Sequence, residues 1–382
     1  MGQQAEKPMS VAAEMSEAGE RWLASLDDAQ RSRAQFPAPS PSDAERTTWF
    51  YTPTDHGGLP LGEQRPAQQG LAMRLVASGL SMAGFATVAA VIGLENVLDR
   101  AEGWSVDWGR ERGRDPGLYY LAVFGQPGGD AWGWRFGGHH VSLNYTVIAG
   151  QVTSCTPSFI GANPARTVLI ADGTLAPLGN LEGAARLLAL SLRDRGADGA
   201  FLHPRAVSDI VSGNRAYVDD GDEMIHMQDL WRGRFADKRL HGLVDEVDVV
   251  AESASGYGQP DHRRLAITRK PKGIAGRDLT AAERGLLSTL ARGYLDRFPD
   301  EIAAPWLAAC QSPDGLDALH FAYAGAAAPA GPVYYRLQDA RLLTEYDNTQ
   351  SDANHAHSVV RDLAADFGRD ALATHWQHHH IG

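Results

Sequence analysis

The sequence predicts an α+β protein: a mixed or antiparallel sheet flanked by helices, with an N-terminal helical arm. Two observations carry this. Helical and strand-like segments come in blocks and do not alternate strictly, which disfavours a doubly wound parallel sheet. No glycine-rich loop follows a strand at dinucleotide or phosphate-loop spacing, and GQPGGDAWG (125–133) precedes a strand and reads as a turn. With 43% hydrophobic and 21% charged residues over 382 positions, the chain is a globular mixture long enough to enclose a core.

The N-terminal stretch reads as an amphipathic helix with Val11, Met15, Trp22, Leu23 and Leu26 on one side. PAPSPSD (37–43) holds three prolines and two serines and reads as a linker. Residues 1–43 are therefore expected to form the arm and linker, and residues 44–382 a single α+β domain. TTWFYTP is an extended aromatic segment. Residues 66–100 look helical, with a break around Ser81 or Gly84. Within them LVASGLSMAGFATVAAVIGL runs uncharged for twenty residues, nominally enough to span a bilayer. Its three Gly, two Ser, one Thr and five Ala weaken insertion, so a buried helix and no membrane are expected.

From Gly117 the character becomes strand-like, in LYYLAVFG and WGWRFGGHHVSLNYTVIAGQV. Helix returns at NLEGAARLLALSLRD, with Asn180 as N-cap, and continues in pieces to about residue 247. RLAITRKP is a strand candidate, and Thr280 with Glu283 forms a capping box that opens another helix. LDALHFAYAG, PVYYRLQ and RLLTEYDN make a strand trio with a tight turn near Asp339. HAHSVV and a terminal helix close the chain.

The net charge of −12, without a basic stripe, argues against nucleic acid as a partner. Two cysteines, Cys155 and Cys310, support neither a cysteine-rich zinc module nor a disulfide framework, and fit a reducing compartment. The N-terminus has no signal-peptide pattern. A cytoplasmic location and a small-molecule substrate are expected, with a homo-oligomer left open. No G-x-S-x-G elbow is present, and neither cysteine has a histidine nearby in sequence.

Concentrated chemistry lies in two places. In FGGHHVSLNYTV, strand alternation puts His140, Ser142 and Asn144 on one face and His139 on the other. His140 is thus the favoured metal ligand and His139 its competitor, the unused one of the two being a candidate catalytic base; both could be ligands only if Gly137 and Gly138 distort the backbone. The bland alternative is a pair of hydrogen-bonded structural histidines.

In LLTEYDNTQSDANHAHSVVRD, His355 and His357 are two apart, so both rings project to one side of an extended segment. Glu345 and Asp347 share a face of the preceding strand. Glu345 is the expected fourth ligand and Asp347 a general base; the alternative is a solvated polar loop. Imidazole with carboxylate suits Zn, Fe or Cu. Trp49 and Tyr51 offer an aromatic wall, and Arg135, Asn144, Arg336 and Asn354 complete the candidate substrate contacts.

The stretches AWGWRFGGHHVSLNYTV, TPSFIGANPA and YYRLQDARLLTEYDNTQSDANHAHSVVRDLAADFG resemble a bacterial family catalogued as domain of unknown function 3500. The resemblance covers about residues 44 to 380. It places His139, His140, Glu345, Asn354, His355 and His357 in the family's characteristic motifs and supplies no activity. Some relatives carry an export signal that this sequence lacks.

These residues support a metal-dependent enzyme acting on a small polar substrate, with hydrolysis ahead because it needs no co-substrate. The alternatives are a non-haem iron or copper oxidative enzyme, a metal-free enzyme with a histidine base oriented by Glu345, and a metal-free ligand-binding or structural protein.

Overall fold

Strand-forming residues from Tyr120 to Ala162 build β1 Tyr120–Phe124, β2 Ala131–Gly138, β3 Val141–Ile148 and β4 Ser158–Ala162, with a short strand Gln151–Ser154 between the last two. A second meander comes from the C-terminal third: β5 His320–Gly325, β6 Val333–Gln338, β7 Leu342–Gln350 and β8 His355–Asp362. The computed structural model describes residues 9–40, 42–232 and 238–379. β4 and β8 pair antiparallel, with His357 opposite Gly161, and so weld the two meanders together. Short segments Gln35–Phe36 and Phe201–His203 add parallel pairings to β1 and β5, which makes the sheet mixed. It counts 13 strands among the described residues.

Alternation along the strands gives the sheet two different faces. One carries Leu121, Val123, Trp132, Trp134, Phe136, Leu143, Tyr145, Ile160, Tyr335, Leu337 and Val360 and forms the main core. The helices that contribute to that core include α1 Val11–Ser25, α2 Pro66–Ser78, α3 Met82–Ala101, α4 Gly179–Asp194 and α5 Ala281–Leu295. The N-terminal arm belongs to it as well. Trp22 is fully buried and donates its indole N–H to Gln64 Oε1 at 2.9 Å. The five apolar residues expected on one side of this helical stretch are all buried.

The helical stretch 66–100 breaks at residues 79–81, where Ser81 caps α3 by accepting from the Gly84 amide. By length and composition α3 is apolar enough to cross a membrane, with mean hydropathy 1.4 over a window 39% buried. Its inward stripe, Gly84, Val88, Val91, Leu94, Glu95, Leu98 and Asp99, includes two buried carboxylates, which pair with His139 and Arg112.

The opposite face of the sheet is polar and still buried. Arg135, Ser142, Asn144, Glu345, Asp347, Arg336 and His357 lie on it, interleaved with Phe159, Tyr334 and Val359. Irregular segments around 49–60 and 200–232 cover it, and Glu345 accepts from two backbone amides of the second, Val211 and Ser212.

This layer departs from the sequence reading. Residues 201–232 are mostly loop, with one short strand and a single 3-10 turn, rather than helix. RLAITRKP is the end of a short helix, Gln259–Leu265, followed by one bridge between Ile267 and Asp222. Arg336 takes the Leu265 and Ala266 carbonyls that a strand would have offered to a neighbour.

Candidate metal centre

The two histidine segments meet because of register. β2 and β3 pair from Gly138 opposite Val141 onward, so His139 and His140 are the two residues of their turn. β3 pairs β4 at Val141 and Ile160, which sets the turn beside Gly161 and hence beside His357 on β8. The His140 amide donates to the Tyr51 carbonyl at 3.0 Å, and its carbonyl accepts from the Gly161 amide at 2.8 Å. His140 sits at φ 65°, in the left-handed region. A side chain at position 161 would meet the His140 ring, since a Cβ there lies 2.6 Å from its Cδ2.

Strict alternation therefore fails at this pair. His139 and His140 do not point apart; their ring centroids are 3.8 Å apart. His140, His355 and His357 bring their Nε2 atoms together at 2.6, 3.0 and 3.3 Å. His140 and His357 are buried and His355 is half-buried. The burial of His140 and His355 holds both rings well below the usual imidazole pKa, and neighbouring rings push the same way.

His357 behaves oppositely. Burial alone would lower its pKa, but Asp209 and Asp347 outweigh that and raise it. Its Nδ1 donates to Asp209 Oδ1 at 2.8 Å, and Asp209 Oδ2 accepts from the Tyr51 hydroxyl at 3.0 Å. Tyr51 also stacks on Phe159 at 4.4 Å and meets the His357 ring edge-on.

Three nitrogens at mutual contact cannot all be satisfied by hydrogen bonds. Each is either an N–H or a lone pair, so two of the three are alike, and one contact always sets like against like. A cation at the centre accepts all three lone pairs. Two nitrogens each about 2.0–2.1 Å from one ion lie roughly 2.9–3.4 Å apart at near-tetrahedral or right angles. Two of the observed separations fall in that range and the third is slightly shorter. These are buried groups positioned to hold a metal ion, and Glu95, His139 and His140 form an adjoining set, as do Asp209, Asp347 and His357.

Other candidates from the sequence are placed elsewhere. Glu345 is fully buried, but its carboxylate is not in the cluster. It accepts from the Val211 and Ser212 amides at 2.7 and 3.0 Å and from the Tyr334 hydroxyl at 2.7 Å, and so anchors the loop that carries Asp209. Asp347 lies behind His357, with Oδ2 3.8 Å from Nδ1 and on the far side of the ring from Nε2. Burial and the neighbouring Asp209 push its pKa up to about 8. His139 Nδ1 is 2.5 Å from Glu95 Oε1. Burial pushes Glu95 up to about 8, against the pull of Arg114, and burial holds His139 well below the usual imidazole range.

Most of the expected substrate contacts are occupied by the fold. Trp49 donates its N–H to the Arg215 carbonyl, and Arg135 holds the Glu45 and Thr48 carbonyls and the Glu45 carboxylate. Asn144 donates to the Pro157 carbonyl, and Asn354 accepts from the Arg166 amide. Arg336 is committed to the two carbonyls of the 265–266 turn. Of the set, only Tyr51 touches the cluster.

Two positions of the candidate site were missed from sequence. Asp209 sits in an unpatterned loop, 148 residues from its partner, and carries no local signal. Glu95 had one: it occupies the apolar stripe of α3, where a carboxylate needs a buried partner.

Fold and site together define an α+β protein with a buried three-histidine cluster backed by a carboxylate. The family model described as "Protein of unknown function (DUF3500)" matches residues 9–369, and the chain belongs to that family. No curated protein and no solved structure matches it.

Proposed function

We propose that this chain is a metal-dependent enzyme acting on a small polar substrate, with His140, His355 and His357 as the ligands and hydrolysis as the reaction class. The convergence of three Nε2 atoms carries this reading, because no arrangement of protons satisfies it. Three protein ligands with a fourth position open is the arrangement of catalytic rather than structural zinc. The Asp209 carboxylate on His357 Nδ1 fixes the tautomer that presents a lone pair at Nε2, as outer-sphere carboxylates do at such sites.

A bound zinc ion would lower the pKa of a water in the open position to near neutrality. The residue best placed to take a proton from that position is His139, whose ring lies against His140 and is held by Glu95. Asp347, on the Nδ1 side of His357, orients that ring together with Asp209. An all-imidazole set favours zinc or copper over the two-histidine, one-carboxylate set of non-haem iron. Copper with oxidative chemistry is the second reading, favoured by the same three rings.

Elemental analysis of untagged protein by mass spectrometry tests this, with the His355→Ala/His357→Ala double variant as control. The reading expects near-stoichiometric zinc or copper, lost in a variant that remains folded. Protein that carries no metal and takes none up on reconstitution would overturn it.

A further inference from the structure

The segment between α3 and β1 carries three buried hydrogen-bond donors without a partner among the described residues, on Trp108, Arg110 and Arg114, and the first and last of these side chains lie together. Arg114 is buried at 6% exposure, and its Nε and Nη2 form a two-pronged pair with Glu102 at 2.8 Å each. Its Nη1 is buried and has no partner among the described residues, and the same holds for Nε1 of Trp108. The two side chains touch, with the guanidinium carbon 5.7 Å from the Trp108 ring centroid. An unpaired buried N–H is destabilising, so two on neighbouring side chains call for an explanation.

Both free groups are donors and one belongs to a permanent cation. The matching partner is an oxyanion, and guanidinium geometry suits a planar carboxylate best. Arg114 is joined to the histidines through Glu102 and the end of α3. The path between them is short. Glu102 follows Glu95 by seven residues on and just beyond α3, roughly 10 Å of helix, and Glu95 holds His139 against His140.

We propose that Arg114 Nη1 and Trp108 Nε1 form an anion subsite of the three-histidine centre, which takes a carboxylate of the substrate. This rests on the reading of that centre as an enzyme site and narrows its substrate to a small carboxylic acid. The carboxylate would accept from the indole and guanidinium N–H groups. Arg114 would then bind substrate, and Glu102 would keep its guanidinium in place.

The test is calorimetric titration of the metal-loaded chain with succinate at fixed ionic strength, repeated on Arg114→Met and Trp108→Phe and on metal-free protein. The proposal expects saturable binding that weakens at least tenfold in Arg114→Met and several-fold in Trp108→Phe, with metal content unchanged in both. Trp108→Phe keeps an aromatic ring and removes the N–H together with the five-membered ring, so it decides the matter if Arg114→Met does not fold. Succinate binding that is absent from the parent chain, or equal in parent and variants, would overturn the subsite. Arg114-dependent binding in a chain that holds no metal would sustain the subsite and sink the enzyme reading instead.

Discussion

Asp209 Oδ1 accepts from Nδ1 of His357 at 2.8 Å, which leaves the Nε2 of the same ring facing His140 and His355. The carboxylate thus decides which nitrogen of His357 is available. Asp209→Asn should keep the shape and weaken metal affinity about 10- to 100-fold. Competition against a chromophoric chelator measures this, and unchanged affinity would remove Asp209 from the account.

Gly161 lets the β2–β3 turn approach the sheet. A methyl group there would meet His140 Cδ2 at 2.6 Å and the Ala356 carbonyl oxygen at 2.7 Å, and the second is backbone that cannot swing away. Gly161→Ala should therefore displace His140 and abolish tight metal binding while the far-ultraviolet circular dichroism stays native-like. A variant that binds metal like the parent would show that the close approach is dispensable.

Glu345 separates anchoring from ligation. Glu345→Gln removes a charged acceptor from two buried amides and the Tyr334 hydroxyl, so it should cost about 1–3 kcal/mol of stability. Metal stoichiometry should remain that of the parent. Denaturant titration and elemental analysis on one preparation check both, and loss of metal in a stable variant would restore Glu345 as a ligand.

Glu283 gives a pH dependence away from the site. Burial would raise its pKa, but Arg195, the Thr280 amide and the Ser191 hydroxyl outweigh that and bring it to about 2, from 4.5 when free. A depressed folded-state value means the charged form stabilises the fold above the unfolded pKa, and that stabilisation fades as pH falls towards the folded one. The Tm difference between the parent chain and Glu283→Gln should be level above about pH 5 and shrink from pH 4.5 down to about 2. A gap that widens in acid would contradict the assignment.

The legible parts of this protein were those set by local periodicity. His355 and His357 share a side because strand residues alternate, and their meeting with His140 needed only one polar position in each segment. Thr280 and Glu283 form the capping box that their spacing announces. Alternation failed at His139 because positions 139 and 140 form a turn, with His140 at φ 65°, where the two-residue period no longer applies. It also placed Glu345 on the right face without saying what occupies its oxygens. The polar face looked like a pocket in sequence because Arg135, Asn144 and Arg336 are polar. In the fold those groups donate to backbone carbonyls of the segments packed against them, and loop backbone leaves no pattern beside them in sequence. Asp209 was illegible for the same reason.

The most direct test of the central claim is anomalous diffraction from crystals of the untagged chain, collected at the zinc and copper absorption edges. The account predicts one strong peak about 2.0–2.1 Å from Nε2 of His140, His355 and His357, with a fourth position facing His139. Density with no anomalous peak there, and the three rings moved apart to separate hydrogen-bond partners, would contradict it.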